Sequence, residues 1–578
     1  MSGKILMLGN AAVARGAYEA GAAFVSSYPG TPSTEITECA ADYPELYAEW
    51  APNEKVAAET AIGASVAGAR AMTCMKHVGL NVAADPVFTA SYTGVNGGLA
   101  LVVADDPGMH SSQNEQDSRN YARSAKLPML EPADSAECKS FTKLAFELSE
   151  RFDTPVLLRL STRVSHSQSL VELGERESVE RKAYKKDPMK YVMMPGMAKL
   201  RHLVVEKRVT DTMAYAEGAD INRIEYHDKS VGIIAAGIAH AYAREALGER
   251  ASYLKLGMVW PLPELLIREF AANVGELWII EELDPFIERE VRAMGIAARG
   301  KTDFSPCGEY TSEEIRAVVL GEPAVCADPP ENIPGRPPVM CAGCPHRGVF
   351  NVLSRMRLTV LGDIGCYTLG ALPPLNALDT CLCMGGSVSM AHGMEKAAGR
   401  DFSKKAVAVI GDSTFLHSGI TGLIDIVYNK GASTIIILDN SITGMTGHQQ
   451  NPATGLTLRN EPTRKLDLEA LVRAVGVDRV TVVDPFDDGA TAAAIKAELD
   501  ADEPSVIIAR RPCALLKGVR YTGKCVITED CRDCGACVRS GCPAISRRSG
   551  RPRIDPAQCV GCDYCRGLCK FGAIGRVE

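Results

Sequence analysis

Eight cysteines near the end of this 578-residue chain fall into two runs. CRDCGACVRSGCP carries Cys531, Cys534, Cys537 and Cys542, and CVGCDYCRGLCK carries Cys559, Cys562, Cys565 and Cys569. Closely spaced thiolates can wrap several corners of one cube, and four per cube hold a [4Fe–4S] cluster. A pair of structural zinc sites, each built from four thiolates, is the alternative, although zinc ligand pairs usually stand farther apart along a chain. Upstream, AVAVIGDS and STIIILDN each end a buried-strand pattern. That pattern predicts Asp412 and Asn440 at the carboxyl ends of neighbouring parallel strands, where ligands of such sheets bind. Magnesium takes hard oxygen ligands and often keeps phosphate oxygens in its octahedron, so these two residue types suit it. The stretch CLCMGGSVSMAHG predicts a helix starting at Gly385, Gly386 and Ser387, whose free N–H groups would receive an anion. Met384 is either an apolar wedge against the same ligand or a core side chain. Three further segments bear thiols: MCAGCPHRG with Cys341, Cys344 and His346, then Cys366, and far downstream Cys513. Singly they are unremarkable, since buried cysteines often act as small hydrophobes.

These residues need a scaffold, and the hydrophobic pattern describes one. Runs such as LALVVADD and TPVLLRLS alternate with helix-like stretches over residues 1–185, as in a parallel α/β sheet. NEKVAAETAIGASVAGARAM has the small-residue spacing of a closely packed helix. A polar stretch from Glu172 to Lys229 marks a connector, and α/β alternation restarts with VGIIAAG, LGMVWPLP and ELWIIEE. The proline-rich segment CADPPENIPGRPP (326–338) predicts a linker before a third α/β unit. The domains expected are therefore 1–185, 186–325, 326–520 and a Cys-dense 521–578. Hydrophobic residues make up 46% and charged residues 23%, which suits several globular cores. A net charge of −8 provides no basic field, which excludes nucleic acid and anionic membrane as partners. The start, KILMLGNAAVARG, superficially resembles a short signal peptide, but Gly9 and Asn10 interrupt its apolar run, and it predicts a strand, a turn and a helix. No window reaches about 18 uninterrupted apolar residues, so no membrane span and a cytoplasmic location are expected. Ten of the twenty cysteines lie between Cys513 and Cys569, which points to thiolate–metal chemistry in a reducing compartment.

Several of these motifs carry a family resemblance. Gly411-Asp412-Ser413 through Asp439-Asn440 resembles the thiamine diphosphate motif that opens with Gly-Asp-Gly and closes with Asn-Asn. Ser413 and Asp439 depart from it, and Ile442 stands where the motif offers a metal-binding carbonyl. LDNSITGMTGHQ resembles the pyruvate:ferredoxin oxidoreductases, which depart at the same place. SYPGTPSTEI resembles the Tyr-Pro-x-Thr-Pro-Ser loop of the 2-oxoacid:ferredoxin oxidoreductase family, and MKHVGLNVAADP and DDPGMHSSQNEQDSR resemble specifically the alpha subunit of its indolepyruvate members. The likeness spans essentially the whole chain. It implies a multidomain α/β fold: two thiamine diphosphate-binding parallel α/β domains, a transketolase C-terminal-like α/β domain, and a C-terminal two-cluster ferredoxin-like domain.

The resemblance also implies residue roles. Glu59 is the carboxyl group that activates the cofactor's aminopyrimidine, with a pKa raised by an apolar pocket; Glu54 is the less favoured alternative. Thr31 touches the oxoacid, and His77, Asn81, His110 and Gln113 are pocket candidates, with His110 placed in a catalytic role. His346, Met384, Gly385, Gly386, Ser387, Gly411, Asp412, Ser413, Asn440 and Ile442 contact the cofactor, with Mg2+ on Asp412, Asn440 and Ile442. Cys341, Cys344, Cys366 and Cys513 hold a third [4Fe–4S] cluster beside the thiamine, with Cys381 and Cys383 as substitutes. As in two-cluster ferredoxins, each tail cluster takes three cysteines of one run and the last of the other: Cys531, Cys534, Cys537 with Cys569, and Cys559, Cys562, Cys565 with Cys542. RRSGRPR, between the runs, is either a solvated loop or a docking patch for an acidic ferredoxin. Cys525 receives no role.

The reaction implied is oxidative decarboxylation of an aryl 2-oxoacid to an acyl-coenzyme A, with electrons passed to ferredoxin, in an anaerobic route of aromatic amino acid catabolism. A small beta subunit in an α2β2 hetero-oligomer is the expected partner. Three other readings remain: another 2-oxoacid specificity, a non-oxidative thiamine decarboxylase or carboligase, and an electron-transfer or scaffold subunit whose thiamine site is vestigial, against which Glu59, Asp412 and Asn440 count. The cysteine-rich tail has no place in non-oxidative chemistry.

Overall fold

The computed structural model describes residues 3–323, 330–335, 337–548 and 550–577. Residues 326–329 and 336 of the proline-rich segment lie outside that set, as does the side chain of Arg548. The chain divides into two compact units, Met1–Pro329 and Pro330–Glu578.

In the first unit a seven-stranded sheet runs Met258–Trp260, Met129–Leu130, Val156–Ser161, Leu99–Asp105, Ala71–Lys76, Phe24–Ser27, Tyr47–Trp50. Every pairing is parallel except that of Met258–Trp260 with Met129–Leu130. Leu99–Asp105 is buried at every position, as a strand covered on both faces must be. The parallel arrangement brings Thr31, Glu54, Lys76, His77 and Asp105 to the carboxyl edge of one sheet. A four-stranded sheet, Glu276–Ile280, Val231–Ala236, Ser252–Leu256, Arg223–Glu225, follows in the same unit. Its successor strand Met258–Trp260 belongs to the larger sheet, so residues on either side of position 185 share one sheet. The polar connector contains a 23-residue helix, Pro195–Glu217. Buried Arg208 fastens it by donating to the Ser91 carbonyl (2.6 Å) and to Asp153. The first strand, Lys4–Leu8, does not enter the parallel sheet; it pairs antiparallel with Gln168–Glu172, and the helix Gly9–Glu19 begins with no intervening turn.

The second unit holds a six-stranded, wholly parallel sheet, in the order Thr380–Cys381, Thr359–Gly362, Ala406–Gly411, Thr434–Asp439, Ser505–Arg510, Arg479–Val483. Ala406–Gly411 and Thr434–Asp439 are hydrogen-bonded neighbours, with Gly411 opposite Leu438, so Asp412 and Asn440 leave the sheet side by side. The helical segment after Asp412 includes a π-helical turn, Phe415–Gly419, a feature that often marks functional sites. Beyond the sheet, two antiparallel strand pairs frame the cysteine runs: Lys524–Ile527 with Ile574–Val577, and Ile545–Arg548 with Arg551–Ile554.

Candidate functional site

At the carboxyl edge of the first sheet the decisive element is the helix Glu54–Val66. Asn53 caps it, its side chain accepting the Val56 N–H at 2.9 Å. Its buried stripe is Glu54, Ala57, Ala58, Ala61 and Ser65, spaced three and four residues apart. Glu59 is five residues from Glu54, about 140° around the helix, and lies off that stripe. It is exposed and paired with Lys55 at 2.5 Å, not enclosed in an apolar pocket as expected. The enclosed carboxyl is that of Glu54, 4% exposed. It packs so tightly on Gly79 that a Cβ there would come within 2.7 Å of its Oε1.

Beside Glu54 stands Lys76, 9% exposed, with Nζ donating to the Ser111 carbonyl at 2.7 Å. Burial pulls its pKa down to about 8, against the opposing pull of Asp106 and Glu54. Its stem crosses Gly30, where a Cβ would sit 3.3 Å away. The loop carrying Thr31 is held by Asn10, whose Nδ2 donates to the Pro32 carbonyl (2.6 Å), and by Ser33 Oγ donating to the Gly30 carbonyl (2.8 Å). His77 is buried, with Nε2 at 3.1 Å from the Asn114 carbonyl, and burial lowers its pKa. The other expected pocket residues stand at the surface. His110 pairs with Glu309 (2.8 Å), Asn81 accepts from Tyr121, and Gln113 is exposed.

In the second unit, Asp412 is buried with Oδ1 accepting the Ser413 N–H at 2.8 Å. Its Oδ2 has no hydrogen-bond partner among the described residues. Burial, with Asp439 beside it, pushes the Asp412 carboxyl up to about 8. Such an oxygen fits a divalent cation, which supplies the charge that the site lacks. Asp439 is itself balanced by Arg510 Nε at 2.8 Å. Asn440 Oδ1 accepts the Ile442 N–H (3.3 Å), and its Nδ2 lies 3.4 Å from Nε2 of fully enclosed His346, whose pKa burial lowers to about 4.

The N-terminus of the helix Gly386–Ala398 differs from expectation. Buried Asp363 takes the Gly385 and Ser387 N–H groups at 2.9 Å each, and the Gly386 N–H goes to the Cys383 carbonyl at 3.1 Å. These donors are satisfied by the protein, not free for a phosphate. Gly385 is required there, with φ +80° and a Cβ that would fall 2.3 Å from Ser418 Oγ. Half-buried Met384 offers its carbonyl to the same Ser418 hydroxyl.

Thiols surround this edge. The Cys513 N–H donates to the Asn440 carbonyl at 2.9 Å, and a Cβ on Gly444 would lie 3.6 Å from Cys366 Sγ and 3.7 Å from Asn440 Nδ2. Burial pushes Cys344 up to about 12, Cys366 up to about 11 and Cys513 upward; Arg347 opposes it at Cys344 and the Leu515 N–H at Cys513, while neighbouring thiols among Cys341, Cys366 and Cys513 add smaller upward pushes. Cys381 and Cys383 are exposed.

Farther out, one apolar cavity is lined by Cys542, Cys559, Cys562 and Cys565, with Cys344 and Cys525 in its wall. A second is lined by Cys531, Cys534, Cys537 and Cys569. The last cysteine of each run thus stands with the first three of the other. Cys525, 3% exposed, donates its N–H to Cys559 Sγ at 3.4 Å. Among the described residues no three His, Cys, Asp or Glu side chains group closely enough to hold a lone metal ion. Sequence reasoning passed over Lys76 and Asp363, which left no local signal, and ranked Glu54 below Glu59 although the small-residue stripe begins at position 54.

Comparison with known proteins bears on both units. Residues 15–232 match the family model for the pyruvate flavodoxin/ferredoxin oxidoreductase thiamine diphosphate-binding domain. Residues 363–509 match that for the C-terminal TPP-binding domain of thiamine pyrophosphate enzymes. Indolepyruvate oxidoreductase subunit IorA of Archaeoglobus fulgidus is 42% identical, covering 99% of this chain and 97% of its own length. The proteins of the same name from Pyrococcus horikoshii and Methanothermobacter thermautotrophicus are each 40% identical, covering 100% and 99% of this chain and 97% of their own lengths.

Proposed function

The chain belongs to the indolepyruvate oxidoreductase IorA family, and we propose that it is the catalytic subunit oxidising aryl 2-oxoacids, indolepyruvate among them. It is a thiamine diphosphate-dependent oxidoreductase. In the proposed reaction the carbon–carbon bond to the carboxylate breaks, CO2 leaves, and a bond forms between the acyl carbon and the coenzyme A sulfur. Two electrons go singly to two ferredoxins, and one proton is released. When bound, thiamine diphosphate supplies the nucleophilic carbon and the electron sink, and iron–sulfur clusters supply one-electron acceptors.

The observation that carries this reading is the continuity of thiols away from Asn440. Cys513 is hydrogen-bonded to the Asn440 backbone, and Cys344 lines the cavity of Cys542, Cys559, Cys562 and Cys565. A non-oxidative decarboxylase has no use for such a series. Within the reading, Cys341, Cys344, Cys366 and Cys513 hold the inner cluster, the cavity of Cys542 the middle one, and that of Cys531 the outer one. Domains 1–185, 186–325, 326–520 and 521–578 keep the roles the resemblance implies, the last being a ferredoxin-like carrier.

Glu54, buried at the sheet edge, holds and returns the proton at the cofactor's aminopyrimidine; its burial supports it over exposed Glu59 for that task. Thr31 and Lys76 orient the oxoacid. Asp412, Asn440 and Ile442 hold Mg2+ through oxygen, supported by the unpartnered Oδ2 of Asp412. Because Asp363 already takes two N–H groups of the glycine turn, the diphosphate is held chiefly through that cation. His346 stays neutral against Asn440 and keeps its amide oriented. The small beta subunit, ferredoxin and coenzyme A are the partners, in an α2β2 assembly in an anaerobic cytoplasm. Among the described residues no helix is long and apolar enough to cross a membrane.

Anaerobic purification with iron, sulfide and thiamine quantified, followed by ferredoxin reduction across a panel of 2-oxoacids, tests the reading. The expected result is CO2 release dependent on an electron acceptor, fastest with aryl oxoacids. Equal CO2 release without an acceptor would assign the chain to the non-oxidative class.

A further inference from the structure

Arg347 has no part in the chemistry assigned so far, yet its place is unusual. It is the second residue of the helix His346–Met356 and only 3% exposed. Nη1 donates to the Ser540 carbonyl at 2.8 Å, and Nη2 donates to the carbonyls of Met340 (2.8 Å) and Cys341 (3.1 Å). One guanidinium thereby joins the Cys341–Cys344 turn to the cysteine-rich tail. The approach is close on both sides. A Cβ on Gly541 would lie 3.2 Å from Nη1, and one on Gly343 would lie 2.7 Å from Val560 and 3.7 Å from the Cβ of Cys562.

The third nitrogen, Nε, is buried and has no hydrogen-bond partner among the described residues. The side chain lines the same cavity as Cys344, Cys542, Cys559, Cys562 and Cys565. A buried N–H left unsatisfied is costly, and it ceases to be so when an acceptor fills the space it faces. Thiolate and sulfide sulfurs of a cluster are such acceptors.

We propose that Arg347 is a positioning residue shared by two cluster sites: it fixes the inner cysteine turn against the tail, and its Nε–H and charge stabilise the reduced cluster in the Cys542–Cys559–Cys562–Cys565 cavity. Reduction adds negative charge, so a buried cation and an N–H donor at the sulfurs raise the midpoint potential. The inference rests on the iron–sulfur reading above.

The test uses the full chain with its partner subunit, purified anaerobically, in wild-type, Arg347→Met and Arg347→Lys forms. Iron and sulfide are counted, and the clusters are titrated redox-potentiometrically by EPR. Arg347→Met is expected to keep its iron while one cluster's midpoint shifts to a more negative potential. Arg347→Lys, which keeps charge but loses the fork and Nε–H, is expected to shift in the same direction by less. The KM for the oxoacid should stay unchanged in both while ferredoxin reduction slows. Full iron content with wild-type potentials in either variant overturns the proposal. If Arg347→Met does not fold, the Lys variant decides by the same criterion. Wild-type protein without iron or a cluster signal would instead overturn the underlying reading.

Discussion

The carboxyl group of Glu54 occupies the space that any side chain at Gly79 would need. A Cβ built on Gly79 would fall 2.7 Å from Glu54 Oε1 and 2.8 Å from Glu54 Cγ. The helix Glu54–Val66 and the helix His77–Thr93 therefore meet with a carboxyl group locked between them at the sheet's carboxyl edge. A carboxyl fixed in this way suits proton transfer at one atom, whereas Glu59 stands at the surface, paired with Lys55.

Glu54→Gln should lower oxoacid-dependent ferredoxin reduction by roughly 10²–10⁴-fold, the usual range for removing a general acid or base. Glu59→Gln should stay within about twofold, as surface changes do. Steady-state rates of the two variants, with circular dichroism to check folding, distinguish them. Equal losses would return the task to both residues.

Replacing the unsatisfied Asp412 carboxylate with its neutral isostere should leave the unliganded chain at least as stable as wild type. The same Asp412→Asn change should abolish the stabilisation by Mg2+ and thiamine diphosphate, about 2.7 kcal/mol at a hundredfold excess over Kd. Thermal unfolding with and without the two ligands measures both effects. A wild-type ligand shift in the variant would remove Asp412 from the metal site.

Five thiols of the tail and its approach share one cavity with Cys344, and a cube needs four. Cys562→Ala should cost about four irons per chain, while Cys525→Ala, which retains the backbone N–H donated to Cys559, should keep its full complement. Iron and sulfide analysis of both anaerobic preparations decides which thiols ligate.

Glu282 offers a pH test independent of any cofactor. It is 6% exposed and accepts the Tyr310 N–H at 3.1 Å, and burial raises its pKa to about 7. A carboxyl raised in the folded state favours folding while protonated. Its contribution is complete below the ordinary carboxylate pKa of about 4.3 and is lost as pH rises through about 7. Glu282→Gln should therefore gain stability relative to wild type between pH 5 and 8, by at most about 4 kcal/mol. Urea unfolding at a series of pH values follows the difference; a flat difference would show that Glu282 is ordinary.

Much of the scaffold was legible along the chain. Buried runs such as AVAVIGDS and STIIILDN became adjacent parallel strands, because fully covered strands leave continuous apolar segments. LGMVWPLP was legible as an apolar segment but not as an edge strand of the preceding sheet, since strand pairing at a distance leaves no local mark. Lys4–Leu8 was legible as a strand, but its pattern names no partner, and the partner proved to be Gln168–Glu172.

What the residues alone determined are the elements and the chemical types: thiols in two runs, an aspartate and an asparagine at strand ends, a small-residue helix. Those follow from local periodicity and spacing, which are properties of neighbours in the chain. Tertiary structure decided which of two glutamates is enclosed, that Asp363 takes the N–H groups meant for an anion, and that Arg347 ties the inner cysteines to the tail. Each of these depends on burial and on contacts between distant segments, and desolvation is set by what surrounds a group in space, whatever lies beside it in sequence.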